Sequence, residues 1–100
     1  MYIAMNRFKI HLGQETAFEH IWNVRDTQLA SVPGFKSFQL LKADSNEAFT
    51  LYASHSTWTN KVDFTAWTKS DNFRQAHKGA GQHQGMYIDH PQFEGFEVVM

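Results

Sequence analysis

Tyr2-Ile-Ala-Met-Asn-Arg-Phe-Lys-Ile-His11 alternates along its length, with Tyr2, Ala4, Asn6, Phe8 and Ile10 on one face and Ile3, Met5, Arg7, Lys9 and His11 on the other. A side-chain period of two is that of an extended strand. Gly13 marks a turn, after which Phe18, Ile21, Trp22, Arg25, Leu29 and Val32 recur at helical spacing until Pro33-Gly34 ends the helix. Residues 35–43 and 48–57 then read as two strands joined by the turn-forming run Asp44-Ser45-Asn46-Glu47, which predicts an antiparallel hairpin.

The segment from Trp58 to Lys78, Trp58-Thr-Asn-Lys-Val-Asp-Phe-Thr-Ala-Trp67-Thr-Lys-Ser-Asp-Asn-Phe73-Arg-Gln-Ala-His77-Lys78, predicts two short helices. Phe64 and Trp67 lie three apart and Phe73 and His77 four apart, so each pair shares one helix face. Between them, Ser70-Asp71 is a break and restart, since these side chains accept hydrogen bonds from the free N–H groups of a first helical turn. Gly79 and Gly81 are stop signals just beyond His77. Residues 79–92 show no period and hold three of the six glycines and one of the two prolines, which predicts a loop placed to act as a flap. Phe93 to Met100 closes the chain as a last strand, with Phe96 and Val98 on one side and Val99 on the other.

The resulting order is βαββαβ, an α+β, ferredoxin-like arrangement whose four-stranded antiparallel sheet carries helices on one face. Residues 1–100 make one domain, with no internal repeat. Apolar residues make up 42% and aromatics 15%, enough for a packed core. So small a domain has little interior to spare, which favours enclosing a large ligand with the help of a second subunit.

A formal net charge of −1 without a basic cluster leaves no electrostatic footprint for nucleic acid or an anionic membrane. The chain has no cysteine, which removes disulfides, thiol catalysis and cysteine zinc sites. Met1-Tyr-Ile-Ala-Met-Asn-Arg7 lacks the pattern of a secretory signal, and no apolar run is long enough to span a bilayer, so a soluble cytoplasmic protein is expected. Glycine-rich phosphate loops, nucleophile elbows and dinucleotide fingerprints are absent, which argues against hydride transfer from a tightly held nicotinamide or flavin. His77, His83 and His90 cluster in sequence, but their spacing matches no familiar zinc pattern.

Taken alone, most of these residues have ordinary explanations. A strand asparagine usually satisfies a nearby backbone group, although an unpartnered buried amide costs about 1–3 kcal/mol. A histidine near a helix C-terminus is usually a solvated side chain favoured by the helix dipole. Trp58, Phe64 and Trp22 read as core.

The segment 58–78 resembles the IsdG-type haem-degrading monooxygenases of the antibiotic biosynthesis monooxygenase superfamily. Their pattern stands here as Trp58, Lys61, Phe64, Trp67, Lys69-Ser70-Asp71, Phe73 and Ala76-His77-Lys78, and Asn6-Arg7 matches an early Asn-Arg pair. The resemblance implies that His77 is the proximal ligand of the haem iron, Asn6 a distal hydrogen-bonding amide, and Trp67 a bulky neighbour that distorts the porphyrin. Phe73 joins them as a haem contact. It further implies a homodimeric α+β barrel made by two sheets packing together. Haem would be both cofactor and substrate, with O2 as oxidant and an external electron donor, a separate reductase. Two alternatives stay open. One is a cofactor-free monooxygenase of an aromatic or quinol substrate, and the other a non-enzymatic haem-binding barrel.

Overall fold

The computed structural model describes residues 1–25, 29–76 and 85–100. Its elements are β1 (Tyr2–His11), α1 (Glu15–Val24), a 3-10 turn (Leu29–Ser31), β2 (Phe35–Ser45), β3 (Phe49–Trp58), α2 (Lys61–Thr68), α3 (Asp71–Ala76) and β4 (Tyr87–Glu97). The strands form one antiparallel sheet in the order β2-β3-β1-β4. With α2 and α3 as one interrupted helix, this is the expected ferredoxin-like βαββαβ order.

The alternation in β1 sets the two faces. Tyr2, Ala4, Phe8 and Ile10 are buried on the inner, helix-covered face, and β3 contributes Thr50, Tyr52, Ser54, Ser56 and Trp58 to it. Two apolar clusters form there. Tyr2, Ala4, Leu29 and Trp58 make one, joined by Val32, Phe35, Phe38, Phe64 and Trp67. Phe8, Ile10, Phe18 and Tyr52 make the other, joined by Trp22, Leu40, Met86 and Tyr87. The outer face carries Ile3, Met5, Arg7 and Lys9 opposite Thr57, His55, Ala53 and Leu51, and no described helix lies over it.

The hairpin between β2 and β3 is tied by Asn46, whose side-chain oxygen accepts from the N–H groups of Ala48 (2.7 Å) and Phe49 (2.9 Å). At the start of β2, Gly34 has φ +82° and lies against the Asp63 side chain, so a β-carbon there would collide as well as strain the backbone.

Three sequence expectations need correction. The first helix ends at Val24 rather than running to Val32, with Arg25 extended (φ −73°, ψ 126°). Asp26-Thr27, next in sequence, are poor helix formers. Leu29 still reaches the core, from the 3-10 turn. The segment expected as loop over 79–92 is strand from Tyr87 onward, because Tyr87 and Ile88 pair with Ile10 and Lys9 and Gln92 pairs with Arg7. Between them β4 bulges opposite Phe8, with Asp89 at φ 64° and Pro91 on this edge strand. Glycine, proline and the shift of register erase the period. Finally, β4 stops at Glu97 rather than Met100, although the Val98 N–H donates to the Met1 carbonyl at 2.9 Å.

Candidate active site at the seam of the inner face

Between the two clusters one cross-strand row is polar at its centre. Leu40 of β2, Ser54 of β3, Asn6 of β1 and Phe93 of β4 are successive partners in the ladder. Tyr2 and Ala4 belong to the cluster on one side of this row, and Phe8 and Ile10 to the cluster on the other. Asn6 therefore interrupts an otherwise apolar strand face at the seam.

The other inward polar groups of β3 are accounted for. Thr50 donates to Glu15 Oε2 (2.8 Å) and lies 2.7 Å from the Ser45 hydroxyl. The Tyr52 hydroxyl donates to Glu19 Oε2 (2.5 Å). Ser56 donates to the Ala4 carbonyl (3.4 Å) and accepts from Trp58 Nε1 (3.0 Å). By contrast, neither the Asn6 carboxamide nor the Ser54 hydroxyl takes part in the side-chain hydrogen bonds of the described residues. Half-buried polar groups without internal partners at a seam are available to a ligand.

Aromatic rings wall the seam. On the α1 side Trp22 stacks on Phe38 (centroids 5.5 Å apart, planes 20° apart) and meets the edge of Phe8 at 5.8 Å. Its indole N–H is buried with no partner among the described residues. The Arg25 guanidinium lies over the Trp22 ring at 4.4 Å, and burial lowers its pKa while that of nearby Tyr87 is raised, also by burial. On the β4 side Phe93, half exposed, lies parallel to Phe64 (5.7 Å, 4°). Phe64 in turn contacts Tyr2, Trp58 and Trp67, and Trp67 meets Phe73 edge-on at 4.9 Å.

Local capping sets the helices that present these rings. Asn60 starts α2 by accepting from the Asp63 N–H at 2.8 Å. Ser70 does two jobs at the expected break, donating to the Trp67 carbonyl (2.6 Å) and accepting from the Phe73 N–H (3.2 Å). Trp67 and Phe73 are thus fixed across the junction by one hydroxyl.

Of the residues singled out from sequence, Asn6 lies on the inner face as expected, and Trp67 and Phe73 are in contact. Asn6 connects to that pair through Phe93 and Phe64. His77 and His83 lie outside the described residues, and His90 is an exposed residue of β4. Sequence reasoning missed Ser54 and Phe93, while Trp22 packs against the core as expected. The alternation Tyr52, Ser54, Ser56, Trp58 carried the signal for Ser54, as it places each of these on the face shared with Asn6.

A seam of this kind suits a flat, largely apolar molecule that offers a group for one or two hydrogen bonds. Among proteins of similar sequence is a haem-degrading monooxygenase of Bacillus thuringiensis, 30% identical over 90 residues that span 90% of this chain and 79% of that protein. Among solved structures, the haem degrader MhuD from Mycobacterium tuberculosis, with two haems bound in its active site, superposes with a TM-score of 0.77 at 24% identity, covering 100% of this chain and 97% of MhuD. SnoaB, a cofactor-independent oxygenase from Streptomyces nogalater, superposes with a TM-score of 0.73 at 20% identity over 99% of this chain and 93% of SnoaB. These two likenesses concern the fold. Residues 1–79 match the family described as antibiotic biosynthesis monooxygenase, and the chain belongs to that family.

Proposed function

We propose that this protein is a haem-degrading monooxygenase for which haem is both cofactor and substrate. The observation that carries this reading is the Asn6 carboxamide, held at the seam of the inner face with its N–H donors unused among the described residues and aromatic rings nearby. The haem-degrading relative from Bacillus thuringiensis supports the choice of substrate. The residues present fit a porphyrin: the Trp22–Phe38 and Phe64–Phe93 stacks offer flat apolar walls, and Asn6 offers a hydrogen-bonding group between them.

Haem, when bound, supplies the iron redox chemistry toward O2, with electrons delivered by an external donor. The chain supplies geometry. Asn6 would offer an amide N–H toward the bound haem, where a preorganised donor is most effective against developing charge. Trp67, in contact with Trp58 at 5.4 Å and Phe73 at 4.9 Å, would pack its bulk against the bound ring. His77 follows the last residue of α3 in sequence and would hold the haem iron through a neutral ring nitrogen. A second copy packed on the outer sheet face completes a homodimeric α+β barrel, and a separate reductase provides the electrons.

Mixing the purified protein with haem, then adding reductant under oxygen, tests the reading. A Soret band should form and then bleach with release of iron. A band that forms and persists would indicate a haem-binding barrel without turnover. Absence of any band, together with O2 uptake on an added quinol, would favour cofactor-independent oxygenation of the kind SnoaB performs.

A further inference from the structure

We propose that Ser54 is a positioning residue for Asn6: its hydroxyl engages the Asn6 carboxamide and fixes which end of the amide faces the seam. Ser54 is the direct cross-strand partner of Asn6 in the central β1–β3 ladder. Directly opposed residues on one face have β-carbons roughly 4.5–5.5 Å apart, within reach of a hydrogen bond between a hydroxyl and a carboxamide after rotation about one side-chain bond.

Ser54 is 8% exposed, yet its unpartnered Oγ is not fully buried, so it reaches the open seam where the Asn6 carboxamide lies. The next inward serine, Ser56, already holds the Ala4 carbonyl and the Trp58 indole, and Thr50 holds Glu15. Their roles are structural and complete. Ser54 alone of these three hydroxyls makes no such bond among the described residues, and it faces the one amide on β1 that makes none either. On its other side Ser54 meets Leu40, which has no polar side chain to offer.

The chemistry favours one polarity. A carboxamide presents an acceptor oxygen at one end and two N–H donors at the other, and rotation about its terminal bond exchanges them. If the Ser54 O–H donates to Asn6 Oδ1, the Nδ2 donors are turned outward, the orientation required of an amide that donates to a ligand. Without the hydroxyl the two ends become interchangeable, and half of the rotational states would present the wrong one.

The turnover arm of the test rests on the haem reading above, whereas the spectroscopic arm does not. In the apo protein, the Asn6 side-chain amide resonances can be assigned by their loss in Asn6→Ala. Ser54→Ala should shift them, Ser54→Thr should restore them toward wild type, and Ser56→Ala should leave them in place while lowering the melting temperature. With haem and reductant, Ser54→Ala should lower kcat about tenfold with an unchanged haem-binding isotherm, and should cost nothing further in an Asn6→Ala background. The proposal is overturned if the Asn6 amide resonances are the same in Ser54→Ala and wild type. It is equally overturned if Ser54→Ala lowers turnover as much in the Asn6→Ala background as in the wild-type one, since the hydroxyl would then act independently of the amide. Failure of the wild-type protein to degrade haem would count against the functional reading while the resonance shifts still decide the role of Ser54.

Discussion

Trp22 of α1 stacks on Phe38 of β2 with planes 20° apart, and through that contact one ring joins the two apolar clusters of the inner face. Trp22 packs with the Phe8 cluster, and Phe38 with the Trp58 cluster. Trp22→Ala should therefore cost on the order of 3 kcal/mol, the usual loss for a large aromatic truncated in a core. For a domain of this size that corresponds to a fall in Tm of roughly 10–20 °C. Trp22→Phe should cost only about 1 kcal/mol, because the buried indole N–H it removes has no partner among the described residues. Urea unfolding of the two variants measures both values, and a Trp22→Ala protein as stable as wild type would show that the wall is not anchored through this stack.

Two glutamates hold the other end of α1 to the sheet, and they give the fold an acid-sensitive contact. The Glu19 carboxylate is held below its ordinary range chiefly by the Tyr52 hydroxyl, with Lys42 at 3.5 Å helping. Glu15 is lowered by its own backbone N–H and by Thr50. A depressed carboxylate favours the folded state above its unfolded pKa, and that contribution disappears as pH falls through the folded value. Tyr52 titrates in the opposite sense, being raised by burial and by Glu19, so its contribution is present below pH ~10 and declines above it. Tyr52→Phe should bring the Glu19 side-chain carbon titration back up toward an ordinary glutamate and flatten the acid limb of the stability curve. An unchanged Glu19 titration in that variant would contradict the assignment.

The inner face was legible in the sequence and its seam was not, for a physical reason. Alternation fixes which side of β1 each residue takes, so the residue pattern alone places Asn6 on the face of Phe8. What alternation does not give is which residue of another strand stands opposite, and that register is what pairs Asn6 with Ser54 and Phe93. The strand character of Tyr87 to Gln92 was hidden for a related reason, since a bulge at Asp89 to Pro91 breaks the period on which strand recognition depends. Likewise the helical spacing of Leu29 and Val32 reflected their packing on the core from a 3-10 turn and the bend after it rather than from a longer helix. The capping serine at position 70 was legible because its chemistry is local.

The outer sheet face should be covered by a second copy of the chain. It carries Ile3, Met5, Leu51, Ala53 and Leu41, with Phe96 opposite Ile3, around an Arg7–Glu94 ion pair of 3.3 Å. Leu41 and Phe96 are exposed in the single chain. Sedimentation equilibrium should give a dimer at micromolar concentration, and Met5→Glu, placing a charge at the centre of this face, should shift it to monomer. A stable wild-type monomer at that concentration would leave the face without its expected partner.

On the haem reading, His77 is the residue that would separate this protein from cofactor-free oxygenases of the same fold. Its assignment comes from the Ala76-His77-Lys78 match and from its place directly after α3, whose Phe73 contacts Trp67. His77→Ala should shift the Soret band and abolish turnover, while His83→Ala and His90→Ala should keep the wild-type spectrum and most activity. Normal haem degradation by His77→Ala, with His83 or His90 essential, would move the iron ligand away from the end of α3.

Asn6 and Trp67 should divide the work of turnover from the work of binding. If Asn6 is the donor to developing charge, Asn6→Ala should retain haem and lose roughly 100-fold in rate, the order found when one preorganised donor is removed. Asn6→Asp keeps the shape but replaces the donor with an acceptor, and it should be no better than alanine. On the haem reading Trp67 would act by bulk, with Trp58 and Phe73 packed against it at 5.4 and 4.9 Å. Trp67→Phe should then slow turnover by letting the ring flatten, visible as loss of out-of-plane porphyrin bands in the resonance Raman spectrum, with haem affinity little changed. A planar ring in the wild-type complex would remove the reason for a tryptophan at this position. A rate unchanged in Asn6→Ala would remove the reason for an amide at the seam.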